Sequence, residues 1–136
     1  MIRYECFVGK RRESITTNAI LLYSCDHEGK RYVFTVSAEQ QANCPKWDTK
    51  KNPNPPLSAA DAIARAGDFI TTIETRDGLF WEFEELALVK IEDAWLWQAR
   101  YGLSSKGIMA GVQPWMPCWI LMDGTVIQPR VMKGAA

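Results

Sequence analysis

Ser58-Ala59-Ala60-Asp61-Ala62-Ile63-Ala64-Arg65-Ala66-Gly67-Asp68-Phe69-Ile70-Thr71-Thr72-Ile73 decides the fold, because it is the one convincing helix pattern in the chain. Ala59, Ala62, Ile63, Ala66, Ile70 and Ile73 recur at three- and four-residue spacings, while Asp61, Arg65, Asp68 and Thr72 take the other side. Ser58 reads as an N-cap, with Asp61 where a capping box usually places Glu. The apolar stripe is narrow and lined mostly by alanine, which lets a helix lie flat and close on a sheet. Asp77-Gly78 marks the exit.

Working outward, almost everything else alternates with a period of two. Upstream, Ile2, Tyr4, Cys6 and Val8 share one phase, Ile15 to Ser24 is rich in β-branched and aliphatic residues, and Tyr32, Phe34 and Val36 define a third strand over Arg31 to Ala38. Cys25 to Lys30 is the hairpin loop between the last two, with Gly29 free to take positive φ. Residues 39–57 read as irregular, ending in Lys51-Asn52-Pro53-Asn54-Pro55-Pro56, where proline forbids regular structure.

Downstream, Leu79, Trp81 and Phe83 alternate with Phe80, Glu82 and Glu84, and the pattern slips at Glu84-Glu85, the signature of a bulge. Glu92-Asp93 turns the chain, and Trp95, Trp97, Ala99 and Tyr101 then share a face. Gly102 to Gln113 reads as a loop. Trp115 to Met122 and Thr125 to Met132 form a last hairpin around Asp123-Gly124, read as a type I′ turn, with Pro129 placing the final strand at an edge or its end at a bulge. The expectation is a single α+β domain over residues 1–136: one long helix packed on a curved antiparallel sheet of about six or seven strands, in the order βββ-α-ββββ.

The helix Ser58–Ile73, the hairpin Trp81-Glu82-Phe83 … Ala94-Trp95-Leu96-Trp97 and the closing Ile120-Leu121-Met122-Asp123-Gly124-Thr125-Val126 together resemble the helix-plus-meander pattern of cystatin-like and PepSY-like domains, and of uncharacterised bacterial proteins built that way. The resemblance spans roughly the last 80 residues and implies a fold rather than an activity. The Gln-x-Val-x-Gly loop of inhibitory cystatins has no counterpart, since Gln40-Gln41-Ala42-Asn43-Cys44 does not match it.

Charge and composition exclude several classes. Lys plus Arg and Asp plus Glu are both 16, and a zero balance argues against a dedicated nucleic-acid binder or a charged membrane-surface protein. The longest apolar runs, such as Ala19 to Tyr23, are too short to cross a bilayer, and the alternating N-terminus does not read as a signal peptide, so the expected location is the cytoplasm. The four cysteines, Cys6, Cys25, Cys44 and Cys118, contain no Cys-x-x-Cys pair and read as free thiols. They and the lone His27 make neither a metal set nor a recognised nucleophile spacing, although Cys25 lies two residues from His27. No cofactor motif is present. The basic clusters Lys10-Arg11-Arg12 and Lys46 … Lys50-Lys51 read as solvated loops, with Trp47 the one ring beside them able to stack a base.

The informative excess is tryptophan: Trp47, Trp81, Trp95, Trp97, Trp115 and Trp119, six in 136 residues. Bulky rings fill the space an alanine-lined helix leaves, and those not needed in the core can line a pocket or an interface. The leading reading is a non-enzymatic binding module for a small apolar ligand or a protein partner. Trp95, Trp97, Trp115 and Trp119 form the walls of its concave sheet face and Met109 a flexible lid. One alternative is an enzyme using the paired carboxylates Glu82 and Glu84 in an aromatic pocket. Another is an immunity-type or self-associating protein that uses exposed aromatic strands at the sheet edge.

Overall fold

Two three-stranded antiparallel sheets and two helices make up residues 19–105 and 115–134, the part of the chain that the computed structural model describes. In chain order they are β1 (Ala19–His27), β2 (Lys30–Ser37), α1 (Ala38–Asn43), α2 (Ala59–Ile70), β3 (Leu79–Ile91), β4 (Ala94–Ser105), β5 (Trp115–Leu121) and β6 (Arg130–Lys133). The first sheet has the order β1-β2-β6 and the second β3-β4-β5, with every pairing antiparallel. The expected strand at Ile2–Val8 and the loop around Met109 lie outside the described residues.

The α+β class and the antiparallel pairing hold, but the single curved sheet does not. The physical reason lies at the C-terminal end. Past the Asp123-Gly124 turn, pairing with β5 is short: the Leu121 N–H to the Thr125 carbonyl at 2.8 Å, the Ile120–Val126 bridge and the Ile127 N–H to the Trp119 carbonyl at 2.9 Å. Pro129 has no N–H to extend that ladder. The chain instead crosses to the first sheet, where β6 pairs with β2 through Tyr32 and Val131. The turn itself is not type I′: Gly124 has φ 92°, but Asp123 is not left-handed and uses its carboxylate to accept the Thr125 N–H at 2.9 Å.

Several local readings are seen directly. Glu28 and Gly29 have φ 52° and 78°, so the first hairpin closes through a two-residue turn needing positive φ at both positions, tighter than a six-residue loop. The β3–β4 register shifts between Phe83 and Glu85, making Glu84 the bulged residue. Ser58 caps α2, its hydroxyl accepting the Asp61 N–H at 3.1 Å. The helix ends at Ile70, short of Ile73, and buries Ala62, Ala66, Phe69 and Ile70 while leaving Ile63 exposed. α1 was not anticipated inside the irregular stretch. Its signal is a capping box, with the Gln40 N–H on the Ser37 hydroxyl and the Ser37 N–H on the Gln40 side chain.

α2 packs on the second sheet and is tied at both ends by indoles. The Trp97 N–H donates to the Leu57 carbonyl at 2.8 Å just before the helix, and the Trp81 N–H to the Ile73 carbonyl at 3.0 Å just after it. The register puts Trp81, Trp97, Ala99 and Cys118 on one sheet face, and small Ala99 and Cys118, both fully buried, suit the close approach that Ala62 and Ala66 allow. The first sheet joins this core through Phe34, whose ring centroid lies 6.4 Å from Phe69 and 5.3 Å from Trp119.

Candidate functional site

The pleat of the β4–β5 pair decides which tryptophans can meet a ligand. Trp97 pairs with Ile120, whereas Trp119 pairs with Gln98 and Trp115 with Gly102. Side chains alternate across a strand, so Trp95 and Trp97 point to one face and Trp115 and Trp119 to the other. The four therefore do not wall one concave surface. Trp97 is buried against the helix entrance, and Trp119 against Phe34 and Tyr23. Trp95 and Trp115 stay half-buried at opposite ends of β4.

Trp95 meets Trp47 edge-on at 5.4 Å, with the Lys90 ammonium 5.8 Å from its ring. The Trp47 N–H is held by its own loop on the Asn52 carbonyl at 2.8 Å. Lys46, Lys50 and Lys51 are exposed nearby in sequence, and Lys10-Arg11-Arg12 lies outside the described residues.

Trp115 sits in the richer setting. The Tyr23 ring, from the other sheet, lies 4.6 Å from it and tilted by 33°. The Arg100 guanidinium sits 4.2 Å from the Trp115 ring centre, a cation–π contact on the same face of the second sheet. Arg100 Nε is 3.1 Å from Glu84 Oε1, yet that nitrogen is buried and makes no hydrogen bond. Glu84 reaches it because Gly102 carries no side chain: a Cβ there would run into the Glu84 carboxylate. Burial pushes the Tyr23 hydroxyl pKa up, helped by the Cys25 thiol and opposed by Arg100. Tyr23, Trp115, Arg100 and Glu84 thus form one stack that spans the two sheets.

The remaining candidates are dispersed. Glu82 and Glu84 take separate partners: the Ser104 hydroxyl donates to Glu82 Oε1 at 2.7 Å, and Glu84 pairs with Arg100. Both project to the Gly102 face, Glu82 opposite Gly102 and Glu84 from the bulge, but each is engaged by a different neighbour. His27 is buried, 6% exposed, with Nε2 2.9 Å from the Glu74 carbonyl and its ring 4.9 Å from Trp81. A carbonyl only accepts, so Nε2 carries the proton. Cys25 contacts the Met116 sulfur at 3.8 Å, and burial pushes its thiol up to about 11. Cys25 and His27 thus turn to different partners. No group of three or more metal-ligating side chains occurs among the described residues, and no described helix is long and apolar enough to cross a membrane.

Sequence reading missed Tyr23, Arg100 and Gly102. Gly102 carries a usable signal, an isolated glycine ending an otherwise bulky strand. Nothing in one sequence links Tyr23 to Trp115. No family model matches the chain, and neither the curated proteins nor the solved structures contain a significant relative.

Proposed function

We propose that the protein is a non-enzymatic binding module whose contact surface is centred on Trp115. The observation that carries this reading is a half-open indole held against one ring from the other sheet and one guanidinium from its own. Aromatic rings with fixed orientation and an accessible edge are low-entropy contact surfaces, and an adjacent Arg adds polar selectivity. The chemistry of the titratable groups supports binding over catalysis, because Cys25 is held as the thiol and the two carboxylates face different neighbours rather than each other.

Native mass spectrometry set against the denatured mass tests the reading. Wild-type protein is expected to retain a reproducible extra mass, either a small ligand or a partner chain, and Trp115→Ala to lose it while still unfolding cooperatively. A bare wild-type monomer, or an adduct unchanged in Trp115→Ala, overturns it.

A protein partner is favoured by a separate observation. Phe80 and Phe83 are 45% and 42% exposed on β3, the outer strand of its sheet among the described residues. Exposed apolar groups on an edge strand suit contact with another chain, a second copy included. If that reading holds, Phe83→Glu removes any association seen by sedimentation and leaves ligand retention at Trp115 intact.

A further inference from the structure

We propose that Arg100 anchors a carboxylate-binding site and that Glu84 occupies it in the free protein as a built-in substitute for the ligand. The inference rests on the reading of the Trp115 surface as a contact site, and adds the ligand's chemistry and an internal competitor.

Two placements converge on Arg100. Its guanidinium is fixed over Trp115 at 4.2 Å, so its donors have a set direction. Its Nε is buried and makes no hydrogen bond although Glu84 Oε1 is 3.1 Å away, so Glu84 supplies charge without an aligned N–H···O bond. A guanidinium is a planar fork matched to the two oxygens of a carboxylate, and a free carboxylate can align where a tethered one cannot.

The tether is the bulge. Glu84 is the extra residue of β3, and its carboxylate lies across Gly102, where any β-carbon would displace it. An inserted residue on one strand and a missing side chain on the next are both needed to bring this carboxylate to Arg100. Bulges characteristically re-aim a side chain in this way. The pair is also easy to open. Its side chains are 35% exposed for Arg100 and 46% for Glu84, and exposed ion pairs hold their partner by a factor of about five at most. A ligand bonding the fork through both oxygens outcompetes that.

The site reads carboxylate chemistry, which a small organic acid or an acidic peptide could both present. The experiment follows the Trp115 indole N–H by NMR, assigned with Trp115→Phe, during titration with sodium benzoate and separately with a tetraglutamate peptide. Sodium chloride at matched ionic strength is the control. Saturable shifts are expected in wild type for one of the two probes, identifying the source. Glu84→Gln, which keeps the shape and removes the competitor's charge, is expected to tighten that binding by about three- to fivefold. Arg100→Lys, which keeps the charge but loses the fork, weakens it by about tenfold. Equal affinity in wild type and Glu84→Gln, or shifts that chloride reproduces, overturns the proposal. If the native adduct is still lost in Trp115→Ala in that case, the binding module stands and only the carboxylate assignment falls.

Discussion

Trp97 and Trp115 belong to adjacent strands of one sheet and meet opposite fates. Trp97 faces the helix, is buried, and spends its N–H on the Leu57 carbonyl. Trp115 projects to the other face and stays half-open between Tyr23 and Arg100. Their side-chain chemistry is identical. What differs is the side of the pleat, set by pairing Trp97 with Ile120 and Trp115 with Gly102. Burial and exposure are thus apportioned by register rather than by residue type.

The largest effect is expected at Trp97. Trp97→Ala removes a buried ring and orphans a carbonyl, and is expected to cost about 3–5 kcal/mol in urea unfolding, against about 1–2 kcal/mol for half-buried Trp115→Ala. Equal costs would show that Trp115 is simply core.

The thiols differ in the same sense. Cys118, on the Trp97 face, is pushed up to about 12 by burial, and Cys25, near the Trp115 stack, to about 11, from 9.0 for both. The unfolded chain therefore releases these protons near pH 9 while the folded chain keeps them. The thiols' contribution to stability is complete below pH 9 and is lost as pH rises from there to about 12. Urea midpoints between pH 8 and 10.5 should fall more steeply for wild type than for Cys118→Ala. Thiol labelling of the native protein should reach half-exposed Cys25 before Cys118.

Trp81→Phe keeps an aromatic ring, though a smaller one, and loses the N–H bonded to Ile73, for an expected loss of about 1–2 kcal/mol in the same urea assay. The smallest effect belongs to Glu84→Gln. An exposed ion pair contributes about 0–1 kcal/mol, so its urea midpoint should match wild type within error while carboxylate binding changes. A large destabilisation would make the Glu84–Arg100 pair structural.

Much of the local structure was legible. The Ser58 cap, the left-handed Gly29, the bulge at Glu84 and the alanine face of α2 each depend on residues a few positions apart. The helix α1 was legible too, in Ser37 and Gln40, but the prolines further along drew the whole stretch toward loop. For the candidate site, tryptophan enrichment drew attention to Trp115 among four rings. It could not separate Trp115 from Trp97 and Trp119, nor find Tyr23 and Arg100.

By itself the sequence determined the α+β class, the antiparallel strands, the helix with its cap and the place where β3 bulges, because hydrophobic period, capping and turn chemistry act over a few residues. Only the tertiary structure decided that the strands split into two sheets, that β6 leaves its hairpin for β2, and that Tyr23, Trp115, Arg100 and Glu84 meet. Those outcomes depend on pairings between distant segments. The alternation within a strand shows which side chains share a face, but not which strand comes to lie against it.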